Sequence, residues 1–411
     1  MENKDFKLAV IFDQVLSVGG GYQQALNSAL SLKKKNKYFS PIFFTTYPEN
    51  ISVLNKYGIE VIYIKLSKYN RAWLKVRSSI ISDILLKYIQ KFFGPNKFEK
   101  SLMNKNIDLV YFISPSSWSN YLEHLNYIIT IWDLCHRDEP EFPEVYKNRV
   151  FEKREFNINR CLKRAIAIIV DSELGRENIA RRYLIDYSRV YIVPFSPAVE
   201  ISNPSKEVKK NIKEKFQISG DYIFYPAQFW AHKNHTYILK GINILKEKYN
   251  KMVNVIFSGK DAGNLNYVKS VVDELNLSDQ VKFLGFVDNE DIVELYKNSL
   301  ALVMPTYFGP TNIPPLEAFA LGVPVLYSDL PGLRDQVGDS ALLLDLNDPN
   351  SMAKNIINLM TDESLRLNLI KLGKKRIESN NNINHNEIIN LICSKYQIKM
   401  QSWKKIEASI K

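Results

Sequence analysis

The chain has 411 residues, of which 45% are hydrophobic, and its formal net charge is +11. This length exceeds what one hydrophobic core usually holds, so we expect two domains of roughly 200 residues each. The three cysteines are odd in number and widely spaced, which argues against a disulfide framework and against a zinc site. The positive charge favours anionic partners without distinguishing among them.

The start of the chain, residues 1–7, is polar and charged and leads directly into a first predicted strand. It therefore lacks the apolar core of a signal peptide. No apolar run approaches the about 18 residues that a membrane span needs. Together with the cysteine usage, these features predict a cytoplasmic protein.

Short β-rich runs alternate with longer amphipathic stretches along the whole chain, which is the pattern of parallel sheets covered by helices on both faces. The first half contains seven predicted strands: Leu8 to Phe12, Ile42 to Thr45, Val61 to Ile64, Leu109 to Ile113, Tyr127 to Ile131, Ile166 to Val170 and Val190 to Val193. The second half contains six: Tyr222 to Tyr225, Val253 to Phe257, Val281 to Leu284, Leu300 to Met304, Val323 to Tyr327 and Ala341 to Leu344.

The predicted class is α/β, with two Rossmann-like, doubly wound domains that face a central cleft. We expect an N-terminal domain over residues 1–200, a C-terminal domain over 201–385, and a helix over 386–411 that packs back on the first domain. The polar, Lys-rich stretch 196–219 is a candidate linker. Ligands of such sheets bind outside the carboxyl ends of the strands, so the loops after each strand are the candidate site.

Glycines follow the first predicted strand, at Gly19, Gly20 and Gly21, where a helix begins. Glycine lets a backbone approach a ligand closely, but a flexible turn before a helix explains this segment equally well. It is not the dinucleotide-binding fingerprint, because no spaced third glycine follows.

A basic and aromatic segment lies between residues 65 and 100. It contains Lys68, Arg71, Lys75, Arg77, Lys87 and Lys91 among Tyr69, Trp73, Tyr88, Phe92 and Phe93. Such a segment can lie peripherally on the anionic inner face of a cell membrane or hold an anionic acceptor. A solvated helix face is the commoner explanation.

Titratable residues follow the strand that ends near Ile131. Asp133 and His136 lie just past it, where polar groups often line a site, although backbone contacts or an ion pair can account for either. Neither belongs to a set with metal-ligand spacing.

The loops after the first three strands of the second half carry cations and an aromatic residue. Lys233 lies between His232 and His235, and a lysine there can neutralise a diphosphate; each histidine alone is better explained as a cap or a packing residue. Lys260 follows the next strand. Phe286 follows the third, where backbone groups can meet the edge of a nucleobase.

The most informative segment follows the strand that ends at Met304. Pro314 and Pro315 suit the first positions of a helix, where a missing N–H group costs nothing. The free amides and dipole of such a helix start favour phosphate, and Glu317, about one turn further on, can accept hydrogen bonds from sugar hydroxyls. An ordinary strand-loop-helix connection would explain this segment if it stood alone.

Taken together, these segments resemble the large retaining glycosyltransferase family 4, also described as glycosyl transferases group 1, whose two-domain architecture is called GT-B. The resemblance covers nearly the whole chain. It is most specific at 225–235, which is similar to the family's Lys-Asn loop, and at 305–324, which contains Pro-Leu-Glu-Ala and Gly-x-Pro-Val. The glycine loop, residues 170–173 and residues 285–287 are weaker matches.

The resemblance implies an N-terminal domain that binds the acceptor and a C-terminal domain that binds a nucleotide-sugar donor, without a metal. It implies that Lys233 contacts the diphosphate, that Thr311, Asn312 and Ile313 offer it backbone amides, and that Glu317 holds the ribose. The full set of predicted donor-binding residues is Gly20, Gly21, His232, Lys233, Lys260, Phe286, Thr311, Asn312, Ile313 and Glu317. The predicted catalytic residues are Asp133, His136 and Lys233.

The chain departs from the family pattern at three points. Gly309 stands where the first of two glutamates is usual, Trp132 stands where a histidine is usual, and Ala227 and Gln228 stand near the place of a phosphate-binding arginine. The resemblance therefore leaves the donor sugar open.

The implied activity is transfer of a sugar from a nucleotide-diphosphate donor to a glycan or lipid-linked acceptor in cell-envelope polysaccharide synthesis, with retention at the anomeric carbon. One alternative is a non-catalytic nucleotide-sugar-binding protein of the same fold. A basic nucleic-acid-binding protein is a weaker alternative, because the positive residues are dispersed and no recognition motif accompanies them.

Overall fold

The structure is a computed structural model that describes residues 6–16, 20–34, 36–77, 95–202, 211–380 and 384–403. All thirteen predicted strands are present in it. They are β1 Lys7–Phe12, β2 Ser40–Thr45, β3 Val61–Tyr63, β4 Leu109–Phe112, β5 Tyr127–Thr130, β6 Ala167–Val170, β7 Val190–Ile192, β8 Tyr222–Pro226, β9 Asn254–Ser258, β10 Val281–Phe283, β11 Ala301–Met304, β12 Val325–Ser328 and β13 Leu342–Leu344.

Helices connect these strands within the described residues. They are α1 Gly20–Lys33, α2 Glu49–Lys56, α3 Lys68–Arg77, α4 Lys97–Met103, α5 Cys135–Asp138, α6 Pro143–Tyr146, α7 Val150–Arg164, α8 Glu173–Tyr183, α9 Val199–Ser202, α10 Ile212–Lys215, α11 His235–Tyr249, α12 Leu265–Glu274, α13 Asn289–Lys297, α14 Ile313–Leu321, α15 Leu333–Val337, α16 Pro349–Thr361, α17 Glu363–Asn380 and α18 His385–Met400.

The chain divides into two compact units, each of which combines separate stretches of sequence. The first consists of Met1–Leu134, Glu152–Val193 and Asn384–Lys411, and the second of Cys135–Phe151 and Pro194–Ile383. The second unit therefore includes a short stretch, 135–151, that precedes two strands of the first. The single domain boundary expected near residue 200 stays a prediction.

The first unit is built on a seven-stranded sheet of order β3-β2-β1-β4-β5-β6-β7, in which every neighbouring pair is parallel. Every residue of β4, β5 and β6 is buried. Strands buried on both faces are typical of parallel sheets that carry helices on each side.

The second unit is built on a six-stranded parallel sheet of order β10-β9-β8-β11-β12-β13. The predicted fold class is thus confirmed: both units are Rossmann-like α/β domains. In each sheet the strand order reverses once, between β1 and β4 in the first and between β8 and β11 in the second. Ligands of open parallel sheets bind at the carboxyl edge beside such a reversal, called the switch point.

The basic segment at residues 65–100 is described only in part, because residues 78–94 lie outside the described residues. Within α3, Tyr69 is 76% exposed, while Arg71 lies over the rings of Tyr47 and Trp118 and donates to the Thr46 carbonyl. None of the helices in the described part of the chain is long and apolar enough to cross a membrane. A peripheral membrane contact stays a prediction.

The C-terminal helix α18 belongs to the first unit. The ring of Tyr396 packs edge-on against Phe6, and its hydroxyl accepts a hydrogen bond of 2.8 Å from Asn126 Nδ2. At the start of the helix, buried His385 lies 3.0 Å from the Tyr111 hydroxyl on β4. The last helix therefore completes the core of the unit that contains the first strand.

Candidate functional site

The switch point of the second unit brings together the two segments that the sequence singled out. Lys233 ends the short helical turn after β8, and Asn312 is the residue before α14, in the loop after β11. The Lys233 Nζ donates to Asn312 Oδ1 at 3.2 Å. A cation thus lies beside a helix start, and both attract anions.

A hydrogen-bond network fixes the start of α14. Asn312 Nδ2 donates to the hydroxyl of Tyr327 at 2.8 Å and to the Phe308 carbonyl at 2.9 Å. The backbone N–H of Asn312 donates to Gln336 Oε1, and Gln336 Nε2 donates back to the Asn312 carbonyl. Gln336 therefore occupies the Asn312 amide, and the predicted contacts of the Thr311 and Ile313 amides with a diphosphate stay predictions.

The loops after β8 and β11 are tied to each other through backbone groups. The carbonyl of His232 accepts from the Tyr307 N–H at 2.9 Å and from the Thr306 hydroxyl at 3.3 Å. The buried Tyr225 hydroxyl donates to the Lys233 carbonyl at 3.0 Å. Hydrogen bonds to the carbonyls of His232 and Lys233 therefore fix the backbone that positions the Lys233 side chain.

The stretch 135–151 packs on the same loops and contributes a carboxylate. Glu144 accepts from the backbone N–H of His232 at 3.0 Å, and its carboxylate also contacts the ring Nδ1 of that histidine. Burial opposes ionisation of Glu144, but the bonds from His232 outweigh it and hold the pKa of Glu144 below its usual value.

Aromatic packing fixes the predicted site residue His232 further. Its ring stacks on Phe308 with 3.8 Å between ring centres, and Phe142 packs against both rings. Sequence reasoning missed Phe142 and Glu144, because their contacts with His232 join residues about 90 positions apart and no local pattern signals them.

Gly309 stands where the family usually has a glutamate, and neighbouring side chains fill the space at this position. A Cβ added to Gly309 would lie 2.9 Å from Cδ2 of Leu333, which is fully buried. On its other side, the Gly309 carbonyl accepts from the Cys135 thiol at 2.8 Å. A side chain at this position therefore does not fit without moving a core leucine.

Glu317 lies one turn into α14 in a largely apolar setting. Burial raises its pKa to about 7 and the nearby charge of Glu200 adds to this, while hydrogen bonds from the Tyr296 hydroxyl, at 3.1 Å, and from the Ala198 backbone oppose it. Residues 198–200, expected to be part of a linker, instead lie against this carboxylate.

The loops after β9 and β10 join Lys260 to Phe286. The Lys260 Nζ lies 5.6 Å from the ring centre of Phe286, which is 60% exposed. Gly259, with a φ of +148°, lets the loop after β9 approach the loop after β8 closely, because a Cβ there would lie 2.3 Å from the Ala227 carbonyl oxygen. An exposed aromatic face and a cation are thus presented together.

The two residues predicted to be catalytic beside Lys233 have different environments. Asp133, whose side chain is 34% exposed, accepts from Arg154 Nη2 at 2.6 Å in the first unit. His136 is fully buried in the second unit, with its ring 5.5 Å from that of Phe151. This burial favours a packing role for His136, and a catalytic role for either residue stays a prediction.

The predicted glycine loop is described from Gly20 onward, since residues 17–19 lie outside the described residues. Gly20 is exposed at the start of α1. A Cβ added to Gly21 would lie 2.6 Å from the ring of Trp132, the residue that replaces the family's histidine. Gly21 therefore has a packing role in this chain, and its contact with a donor stays a prediction.

One group of potential metal ligands occurs in the described part of the chain: Glu99, Glu123 and His124. The Glu99 carboxylate, however, accepts from the backbone N–H groups of Glu123, His124 and Leu125 at 2.7 to 2.9 Å. This buried side chain thus holds a loop of the first unit. It lies on a different sheet from Lys233, and the expected independence from metal stays a prediction.

Comparison with known proteins gives a family match within the second unit. Residues 208–376 match the family model of glycosyl transferases group 1, so the predicted resemblance to this family is confirmed. The chain is 24% identical over 240 residues to the O-antigen chain mannosyltransferase B of Escherichia coli, an alignment that covers 58% of this chain and 62% of that protein. The alignment thus spans less than two thirds of this relative.

Solved structures share the fold over nearly the full chain. A glycosyltransferase from Rickettsia africae superposes with a TM-score of 0.67 at 14% identity, covering 97% of this chain and 100% of that one. The Anabaena protein HepE in complex with UDP-glucose superposes with a TM-score of 0.66 at 14% identity, covering 96% and 100%. The fold of the chain is therefore that of GT-B glycosyltransferases.

Proposed function

We propose that this protein is a retaining, metal-independent glycosyltransferase that moves a sugar from a nucleotide-diphosphate donor to a glycan or lipid-linked acceptor. The observation that carries the proposal is the contact between Lys233 and Asn312 at the switch point of the second sheet. It combines a cation and a helix start at the edge where such sheets bind ligands. The family match of residues 208–376 supports it.

The chemistry that this arrangement favours is stabilisation of the leaving group. As the bond to the sugar breaks, negative charge grows on the departing diphosphate. A lysine and backbone amides that are already oriented towards that charge stabilise the transition state more than the ground state. Lys233, held by its backbone contacts, would supply the positive charge that other transferases take from a metal ion.

The neighbouring groups suit the rest of a nucleotide. Glu317, fixed by Tyr296, would accept hydrogen bonds from the ribose hydroxyls. The exposed ring of Phe286 beside Lys260 offers a face on which a base can stack. These roles, like those of Gly20, Thr311 and Ile313, extend the proposal from the diphosphate to the whole donor.

The relatives suggest a donor and a setting. The E. coli relative is an O-antigen chain mannosyltransferase, and the Anabaena structure contains UDP-glucose. We therefore propose a hexose as the transferred sugar and cell-envelope polysaccharide as the product, made in the cytoplasm or at the inner face of the membrane. No partner role for nucleic acid is proposed.

The first experiment is a thermal-shift panel with UDP, GDP, ADP, TDP and their common sugars, with EDTA present throughout. A ligand that binds only the folded state raises its stability, so one nucleotide should raise the melting temperature selectively. Release of that nucleotide from its sugar in EDTA is then measured. The absence of any shift at millimolar nucleotide would refute the proposal.

A second candidate is a nucleotide-sugar-binding protein without turnover. The closure of Gly309 by Leu333 favours it, because the family's usual contact to the donor sugar has no room at that position. This candidate predicts the same thermal shift but no release of nucleotide, with or without glycosides as acceptors. The two assays together distinguish the candidates.

A further inference from the structure

The switch point of the first sheet holds a carboxylate. Asp13 follows β1, while Ser114 and Ser116 follow β4, the neighbouring strand across the switch point. Ser114 Oγ donates to Asp13 Oδ1 at 3.2 Å, and Ser116 Oγ donates to Oδ2 at 2.5 Å. Asp13 thus occupies the place in the first unit that Lys233 and Asn312 occupy in the second.

The orientation of these groups is fixed by their neighbours. The Ser116 oxygen also accepts from the Trp118 N–H at 3.0 Å, which leaves its proton directed at Asp13. Buried Asn50 accepts from the Leu16 N–H at 2.8 Å and donates to the Gln14 carbonyl at 2.9 Å, so the loop after Asp13 is held as well. The carboxylate is therefore preoriented.

Asp13 retains capacity for a further ligand. A carboxylate has about four positions at which it can accept a hydrogen bond, and the two serines occupy two of them. Burial raises the pKa of Asp13 to about 6, although the residue is still partly exposed. Its partners in the described part of the chain are hydroxyl groups and its own backbone, not cations. Such a carboxylate matches a ligand that donates hydroxyl hydrogen bonds.

We propose that Asp13, oriented by Ser114 and Ser116, binds the acceptor by accepting a hydrogen bond from one of its hydroxyl groups. The ligand class is a polyhydroxylated molecule, a sugar or another polyol. The inference rests on the proposed transferase function and adds a specificity-determining residue to it. The alternative is a structural one, in which the three side chains only tie the loops after β1 and β4 together.

The test compares Asp13→Asn with a matched control, Asp186→Asn. Asp186 also accepts a hydrogen bond from a serine hydroxyl, that of Ser188. It is exposed, however, and it lies before the amino end of β7, whereas Asp13 lies after the carboxyl end of β1. The probes are p-nitrophenyl glycosides of mannose, glucose, galactose and N-acetylglucosamine. Nucleotide release is measured with each glycoside and without any, using the donors GDP-mannose and UDP-glucose.

Asp13→Asn should raise the KM for the glycoside at least about 10-fold, as expected for the loss of a hydrogen bond to a charged group. Nucleotide release without glycoside should stay within about 2-fold of the wild type, because donor cleavage belongs to the second unit. Asp186→Asn should change neither value. An unchanged KM for the glycoside, or an equal loss of release without glycoside, would overturn the inference.

Two further measurements apply if Asp13→Asn does not fold or if the wild-type protein does not cleave a donor. If Asp13→Asn does not fold, Ser114→Ala is measured instead, because it keeps the carboxylate of Asp13 but removes one of the hydroxyls that orient it. This variant should raise the KM for the glycoside about 3-fold, as expected for a misaligned carboxylate. An unchanged KM would overturn the inference. If the wild type cleaves no donor, the proposed function fails first. Saturation-transfer NMR with the same glycosides then decides: binding that Asp13→Asn abolishes supports the inference, and equal or absent binding overturns it.

Discussion

Lys233 is the side chain on which the proposed chemistry depends most. Lys233→Ala should lower nucleotide release about 100-fold, because it removes a preoriented charge from the place where negative charge develops. The melting temperature should change little, because the main-chain bonds of Lys233 remain and the substitution removes only the side-chain hydrogen bond to Asn312 among the contacts described above. The measurement is nucleotide release in EDTA with the donor that stabilises the wild type.

The matched control for this variant is Lys240→Ala. Lys240 is exposed on α11, the helix that follows the Lys233 loop. The substitution Lys240→Ala therefore removes one positive charge from nearly the same stretch of chain. Its nucleotide release should equal that of the wild type. Equal rates in both variants would remove Lys233 from the diphosphate site.

Glu317 links the site to pH. Its pKa of about 7 in the folded chain exceeds the ordinary 4.5, so the folded state retains a proton that the unfolded state loses between these values. The stability from this proton is complete below pH 4.5 and is lost as the pH rises through 7. Glu317→Gln lacks this dependence, so its stability relative to the wild type should rise by about 2 kcal/mol between pH 5 and pH 8.

Urea denaturation at both pH values measures this effect. Glu274→Gln, which removes an exposed carboxylate from α12, serves as the control and should follow the wild type at each pH. If the free energy of unfolding changed equally between the two pH values in Glu317→Gln and in the wild type, a raised pKa for Glu317 would be contradicted. This result would also weaken the case that this carboxylate is set in a desolvated pocket.

At the scale of elements, the loop before α14 is shaped by the helix that packs behind it. Gly309→Ala should destabilise the fold by about 1 to 3 kcal/mol, because its methyl group would meet Leu333 at the start of α15. In a Leu333→Ala background the same substitution should cost less, since the clash is gone. Urea denaturation of the four chains gives the coupling energy, and additive effects would show that Leu333 does not close this position.

The strands and the local motifs were predictable, whereas the contacts that support them were not. Each strand is a short, nearly continuous apolar run between polar loops, so its own residues identify it. Lys233 and Glu317 also belong to patterns only a few residues long. By contrast, Glu144 contacts His232, 88 positions away, and Gln336 contacts Asn312, 24 positions away. The periodicity of a single sequence does not indicate which distant residues form such pairs.

Asp13 illustrates the same limit at the first sheet. Its sequence neighbours are unremarkable in type, and only the order of the strands makes it a neighbour of Ser114 and Ser116, about 100 positions away. Strand order is a long-range property that the alternation of elements does not specify. Asp13 and both serines do lie in loops that follow strands, and the expectation that such loops form the site stays a prediction.

At the scale of the whole molecule, the sequence order and the spatial units differ. The first unit requires three separate stretches of chain, the last of which contains α18. The second takes in residues 135–151, whose Phe142 and Glu144 support the Lys233 loop. In both cases the stretch contacts residues that are far away in sequence, and a single boundary along the chain does not describe such an arrangement.

The described contacts of α18 involve residues of the first unit, so weakening it should affect that unit alone. Tyr396→Ala removes the ring that packs on Phe6 and the hydroxyl that accepts from Asn126, a change that typically costs a few kcal/mol. Hydrogen exchange should then accelerate in β1, β4 and β5 and stay unchanged in β8 to β12, because compact units open separately. Leu359→Ala, which truncates a buried side chain of α16 in the core of the second unit, should give the reverse pattern. Equal acceleration in both sheets by either variant would mean that the two units unfold as one.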